Sequence, residues 1–386
     1  MSDFFTLSFW RQSENLSLFT EYLKTDYGKS LPEEINQEIS KYIFGRIILD
    51  ETCDFALLRY YLRSVIIQQV IPEFHQLIYT TKLEIYRIVD FPFDQLIYLK
   101  SLHSLTVGQS VKIKNFHCKY LSQITSLDIS DVKTLTDVGL RYLTHLRKLK
   151  INKTAGLKDN GLKNLTNLIK LSLGCNRCIK DSIGSLTNLT SLSISDFSYI
   201  PPTVLKSLSK LTYLKWYSNN DESLESMTYL NNLQFLDSSF APITNEIVST
   251  LTNLTNLESY SELISDDGIR HLTKLEGLTL YSKLIGDMGI YRLTRLRELS
   301  LHGEWITGNG IWYLTNLVKL EVRSKLIRKT DLDHLKELTS FYCPIKSLRE
   351  YVHDRAYNER VAKIVSLKRT AEESLEQSTH KKMRYD

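Results

Sequence analysis

Cys175-Asn-Arg-Cys178 is the one pair of side chains in this chain whose types and spacing match a metal or dithiol site. Such a pair supplies half of a zinc tetrahedron, or a redox couple when it opens a helix after a thioredoxin-like strand. Here no second ligand pair follows and the cysteines lie just past a strand, so loop thiols are expected. With Cys53, Cys118 and Cys343 the total is five, an odd and scattered set that fits reduced thiols better than a disulfide framework. The nine histidines are dispersed, and there is neither a glycine-rich phosphate loop nor a carboxylate pair at a useful spacing. No catalytic residue, metal or cofactor is therefore expected, and the chain reads as a non-enzyme.

The side chains that do gather are those of recognition. Tyr213, Tyr217, Phe235, Tyr260, Tyr281, His302 and Arg323 recur at related places in a repeated string. Tyrosine and arginine offer large contact area with few rotamers to freeze, which is why they anchor interfaces. Their register comes from the leucines: Leu83, Leu105, Leu127, Leu149, Leu171, Leu192, Leu214, Leu236, Leu257, Leu278, Leu299, Leu320 and, as phenylalanine, Phe341, each 21 or 22 residues after the last. Units such as Leu293-Thr-Arg-Leu-Arg-Glu-Leu299-Ser-Leu301 end in the alternation of a short strand. Seven or eight residues beyond the third leucine stands another apolar anchor, as at Leu135, Ile264, Ile285 and Ile306. Thr136-Asp137, Lys158-Asp159, Asp266-Asp267 and Gly286-Asp287 then suit the capping of a return helix. A fixed period of this length predicts a solenoid of stacked strand-helix units.

These strings resemble the leucine-rich repeat family over residues 77–344. The asparagine that many such repeats carry five residues past the third leucine is mostly replaced, by Val132, Thr154 and Lys283, while Asn176 keeps it. Leu135-Thr-Asp137-Val-Gly139-Leu140 and Ile285-Gly-Asp287-Met-Gly289-Ile290 resemble the helix-containing subtype found in F-box proteins and in bacterial and amoebal repeat proteins. The implied fold is an α/β solenoid of about 12–13 units. Its parallel strands would line a concave face and its ends would carry helical caps. On that face the column three after the third leucine is small or polar early (Gly108, Ser130, Asn152, Gly174, Ser195) and then becomes Tyr217, Ser239, Tyr260, Tyr281, His302 and Arg323, with Tyr213 and Phe235 in the flanking column. A protein partner is the expected ligand of this aromatic patch, unless its rings merely cover neighbouring strands. Trp216 stands at a buried strand position where the next two units place Ser238 and Ser259, an exchange of volumes typical of a core. Asn219-Asn-Asp-Glu-Ser predicts an irregular loop near 219–224, and Pro201-Pro202 a second irregularity, so a bend is expected between about 197 and 225.

Three regions are expected: 1–76, helical; 77–344, repeats; and 345–386, a helical cap ending in a basic tail. Ser30-Leu31-Pro32-Glu33-Glu34-Ile35, followed by Ile39 and Ile43, carries the cap, the first-turn proline and the apolar spacing of a helix. The string also resembles the opening of an F-box, at about 30–74, although the tryptophan usual near its end is absent. The resemblance implies that Leu31, Pro32, Ile35, Ile39 and Ile43 grip the adaptor of a cullin-type ubiquitin ligase, with Cys53 to Ile71 completing a helical bundle and the repeats holding a substrate. The other reading is a free-standing adaptor, or an effector acting inside a host, with the N-terminal segment a plain cap.

Composition restricts the partners. A net charge of +5 on 49 basic and 44 acidic residues is too weak a bias to imply nucleic acid, and no apolar run approaches the ~18 residues of a membrane span. The first residues lack a secretory pattern, so an intracellular monomer, cytoplasmic or nuclear, is expected. Only six alanines, beside abundant Lys, Ile, Asn and Tyr, fit an AT-rich genome, and a viral chain would work in its host's cell.

Overall fold

Leucine, isoleucine and valine at every second strand position give each repeat one apolar edge, and stacking is the way to cover it. The computed structural model describes residues 47–49, 64–67 and 74–358, apart from 109, 131, 133, 154–155, 175–177, 196–199 and 218–220. The chain divides into two compact units, Met1–Leu230 and Asn231–Asp386. In the first unit nine strands stack in sequence order: β1 Ile47–Leu49, β2 Ser64–Ile67, β3 Lys82–Ile85, β4 Ser104–Val107, β5 Ser126–Ser130, β6 Lys148–Asn152, β7 Lys170–Gly174, β8 Ser191–Ser195 and β9 Tyr213–Trp216. Six more stack in the second: β10 Phe235–Ser238, β11 Asn256–Ser259, β12 Gly277–Leu280, β13 Glu298–Leu301, β14 Lys319–Val322 and β15 Ser340–Tyr342. Every pairing within a unit is parallel, and the third leucines align rung to rung, as Leu257 with Leu278, Leu278 with Leu299 and Leu299 with Leu320. These leucines are at most 2 % exposed, and each buried leucine contributes about 1.5–3 kcal/mol.

The stack begins earlier than the expected boundary at 77. Ser64–Ile67 is a strand paired with β3, Val65 opposite Leu83, and β1 pairs with it in turn. A helical reading of 53–71 therefore fails at 64–67. Val65-Ile66-Ile67 is β-branched and all three are buried, which favours a strand. It lies 18 residues ahead of its partner instead of 21 or 22, so the leucine period passes over it. Leu31, Pro32, Ile35, Ile39 and Ile43 lie outside the described residues.

Many of the return segments are single turns. Asp137–Leu140, Asp266–Ile269, Asp287–Ile290 and Gly308–Ile311 are four-residue helices, and several other repeats use 3-10 turns such as Asp159–Gly161. Thr136 caps its own helix, accepting from Val138 N, as the sequence implied, but the aspartates beside such positions do not. Each sits in the first turn and reaches one repeat onward: Asp137 Oδ1 accepts from Lys158 N (2.7 Å), Asp159 Oδ1 from Lys180 N (2.7 Å), Asp266 Oδ1 from Gly286 N (2.8 Å) and Asp287 Oδ1 from Thr307 N (2.8 Å). Asn115 and Asn245 do the same for Thr136 and Ser265. This ladder satisfies backbone donors that open each turn, which a helix of one turn cannot satisfy itself.

The glycine of the Asp-x-Gly string follows from that ladder. A Cβ on Gly161, Gly289 or Gly310 would stand 2.6, 2.4 or 2.3 Å from the Oδ1 of Asp137, Asp266 or Asp287 in the preceding repeat. At Pro201-Pro202 the ladder stops, because neither proline can donate to Asp181. Pro202 instead opens the helix Pro202–Ser207. The irregularity expected near 219–224 takes the form of the nine-residue 3-10 helix Asp221–Tyr229, whose Leu224 and Met227 are buried. Trp216, Ser238 and Ser259 are each fully buried.

Residues 346–358 are helical and turn Leu348, Val352 and Ala356 inward. Arg355 donates from Nη1 to the carbonyl of Leu332 (2.7 Å) and from Nη2 to those of Leu335 (2.8 Å) and Leu338 (3.4 Å). These are turn carbonyls of the last repeat, so the helix closes the solenoid with one guanidinium. Arg355→Ala is expected to lower the opening free energy around β15 by about 1–3 kcal/mol, the worth of hydrogen bonds from a charged donor. Amide exchange of β15 reads it, and unchanged protection there would remove the cap role.

Candidate binding face

In β11 to β14 the strands alternate, with Leu257, Leu278, Leu299 and Leu320 inward and Glu258, Thr279, Ser300 and Glu321 on the outward face. Just past the strand ends the chain places Tyr260, Tyr281, His302 and Arg323 on successive rungs. The strand spacing of about 4.8 Å sets how closely their side chains stack. Tyr260 and Tyr281 have ring centroids 4.0 Å apart at 64°, and Tyr281 and His302 are 3.6 Å apart at 31°. The ladder remains open to solvent, with Tyr260 39 % and Tyr281 36 % exposed.

Phe240, which the register did not single out, extends the ladder at the other end, edge-on to Tyr260 at 6.2 Å. The column three after the leucine holds Ser239 in that repeat, and Ser239 is buried, its hydroxyl donating to Asp237 Oδ1 at 2.7 Å. The exposed place passes to the next residue, Phe240. Phe235 is half-buried in the flanking column, as is Tyr213 in the first unit, and Tyr217 is half-buried at the end of β9. The structure thus brings Tyr260, Tyr281 and His302 together.

Rings do cover a neighbouring strand at one place in the first unit. Tyr86 donates its hydroxyl to Glu84 (2.9 Å), and its ring fills the space over Gly108, where a Cβ would meet it at 2.2 Å.

The electrostatics of the ladder are mixed. Burial, then a hydrogen bond and proximity to Tyr281, then the charges of Glu258 and Asp237, raise the Tyr260 phenol above its ordinary value. His302 is lowered, first by burial and then by the Arg323 guanidinium, with Glu321 opposing. At neutral pH the imidazole is therefore uncharged and can stack as a neutral ring. Arg323→Ala is expected to move the His302 titration upward, followed by the ring-proton shift across pH 4–8. An unmoved midpoint would place the guanidinium away from the ring.

Of the Cys175–Cys178 pair, Cys178 is exposed and Cys175 lies outside the described residues. Burial pushes the Cys118 thiol up to about 12 and raises Cys343 as well. No cluster of three or more His, Cys, Asp or Glu suited to a metal occurs among the described residues, and no described helix is long and apolar enough to cross a membrane.

Parallel rungs one repeat apart, short helical returns and a buried leucine on most rungs define a leucine-rich repeat solenoid. Solved structures share this fold. An internalin, InlF, of Listeria monocytogenes is 23 % identical, with a TM-score of 0.51 over 64 % of this chain and 75 % of its own. A leucine-rich repeat protein of Leptospira interrogans is 16 % identical, with a TM-score of 0.50 over 81 % of this chain and 98 % of its own. Toll, in the Toll–Spatzle complex of Drosophila, is 15 % identical, with a TM-score of 0.54 over 80 % of this chain; the match spans 48 % of the Toll chain. No protein-family model and no curated protein sequence matches the chain.

Proposed function

We propose that the chain is a non-enzymatic binding scaffold that receives a partner protein on the outward strand face of its second unit. The observation that carries this is the ladder of Phe240, Tyr260, Tyr281 and His302, ended by Arg323. These are interface-type side chains on rigid rungs, stacked on one another and still open to solvent. Glu258 and Glu321, half-buried on the same outward column, favour a partner whose matching surface is basic. Tyr213, Tyr217 and Phe235 belong to the proposal as further contacts. That the Toll structure is a complex with a protein, Spatzle, is in keeping with a scaffold of this kind. The test is capture of bound proteins by the full chain and by its Tyr260→Ala, Tyr281→Ala variant. A protein retained by the first and lost from the second supports the reading, and identical sets oppose it.

A finer reading makes the chain a substrate receptor of a cullin-type ubiquitin ligase, with Leu31, Pro32, Ile35, Ile39 and Ile43 holding the adaptor. Its support is the F-box-like string from Ser30 to Ile35. The alternative is a free-standing adaptor or host-directed effector with no link to ubiquitin. Leu31→Asp with Ile35→Asp in the full chain separates them. An adaptor recovered with the native chain and lost with this variant supports the receptor, and partners held by both with no adaptor support the free-standing protein.

A further inference from the structure

The second unit carries a second periodic feature, in the loop between each strand and its return turn. Six residues past the third leucine stand Leu263, Leu284, Trp305 and Leu326, on four successive rungs, and they are 53 %, 58 %, 68 % and 49 % exposed. Single exposed apolar side chains are ordinary, but one on each of four consecutive rungs is a continuous stripe on the order of 15 Å long. The residue before each is charged and exposed, and the signs alternate: Glu262, Lys283, Glu304, Lys325. None of these four makes an ion pair with another described residue.

The loop that presents the stripe is pinned from within. Buried serines stand two residues ahead of three of the four. Ser261 Oγ donates to the Ile243 carbonyl and Ser324 Oγ to that of Ile306, both at 2.6 Å. The amides of Leu263, Leu284 and Leu326 donate to Ser261, Ser282 and Ser324 at 3.3, 3.0 and 3.0 Å. In the Trp305 repeat Gly303 replaces the serine, its missing Cβ leaving room for the Ile285 carbonyl, and Trp305 bridges to Gly286. These serines do the work of the absent asparagine ladder and hold the stripe in register, so little ordering entropy is lost when it docks.

We infer that the stripe is the contact face of a two-fold symmetric dimer of this chain. A column reading Glu, Lys, Glu, Lys is complementary to itself on all four rungs only when reversed. Antiparallel copies set Glu262 against Lys325 and Lys283 against Glu304, twice each, whereas parallel copies would oppose like charges on every rung. The same two-fold sets Leu263 against Leu326 and Leu284 against Trp305. An isologous contact requires this self-complementarity, and no other protein would need it. This second copy takes the place of the monomer expected from composition.

Sedimentation velocity on the full chain, from roughly 1 to 200 µM because the contact is at the small end of specific interfaces, tests it. The native chain is expected to pass from monomer to dimer as concentration rises. Glu304→Lys should weaken the dimer at least about tenfold, since it sets two lysines together at two symmetric places. Lys283→Glu added to Glu304→Lys should restore it. All these residues are exposed, so at concentrations where the chain is monomeric the melting curve of each variant should match the native one. A monomer throughout the range, or a dimer indifferent to both charge variants, would overturn the inference.

Discussion

Gly289→Val is expected to destabilise the second unit by about 3 kcal/mol, combining overpacking with a stranded donor. A Cβ at Gly289 would stand 2.4 Å from Asp266 Oδ1 and 3.2 Å from its Cα, and valine adds two methyls at that contact. Asp266 Oδ1 cannot withdraw freely, because it accepts from Gly286 N at 2.8 Å and so holds the next repeat's turn. The side chain must therefore push two repeats apart or break the rung that joins them. Urea unfolding followed by circular dichroism reads the change. A loss below about 0.5 kcal/mol, the range of an ordinary surface substitution, would show that the ladder does not bind repeat to repeat.

Replacing both Tyr260 and Tyr281 with alanine is expected to reduce affinity for the partner by roughly 100-fold or more, since interface anchors of this type cost about 2 kcal/mol or more each. Stability should change far less, because each ring is more than a third exposed and its main neighbours are other rings of the ladder. The competing account, rings that serve to cover strands as Tyr86 covers Gly108, makes the opposite forecast. There the double variant would lose stability and keep its affinity. Affinity by calorimetry and midpoint by thermal unfolding, measured on the same preparations, separate the two.

Much of this architecture is legible in the leucines. Their spacing places β3 to β15 and the buried anchors correctly, because a leucine that recurs every 21 or 22 residues has one physical use, the shared core of stacked rungs. The same regularity hides β2, where Val65-Ile66-Ile67 makes the rung with no leucine frame and a spacing of 18. The aspartates are a different case. Asp137 and Asp287 have the residue type and position of helix caps, and whether a carboxylate turns to its own helix or to the next depends on the distance between repeats, which a sequence does not state. The glycine two residues on was the available signal: in a short helix its lack of a side chain makes sense only if something from the neighbouring repeat occupies the space.

The candidate face shows the same division. Register alone selects Tyr260, Tyr281 and His302, and they do stack. It misses Phe240, since the turn of Ser239 inward toward Asp237 shifts the exposed place by one residue. It also passes over the Leu263, Leu284, Trp305 and Leu326 column. In a chain whose leucines are overwhelmingly core, three more give no sign that they face water until the loop's serines are seen to hold them there.

The most direct measurement is a photo-crosslinking amino acid placed in the full chain at Tyr281, with the same group at Lys163, an exposed residue in the turn between β6 and β7, as the control. The account predicts a covalent adduct with one partner protein from position 281 and none with that protein from 163. The adduct should persist when Leu31→Asp and Ile35→Asp are also present, since the strand face binds the partner independently of the N-terminal string. The same adducts from both positions, or none from 281 while a partner still copurifies, would contradict the claim that this ladder is the binding face.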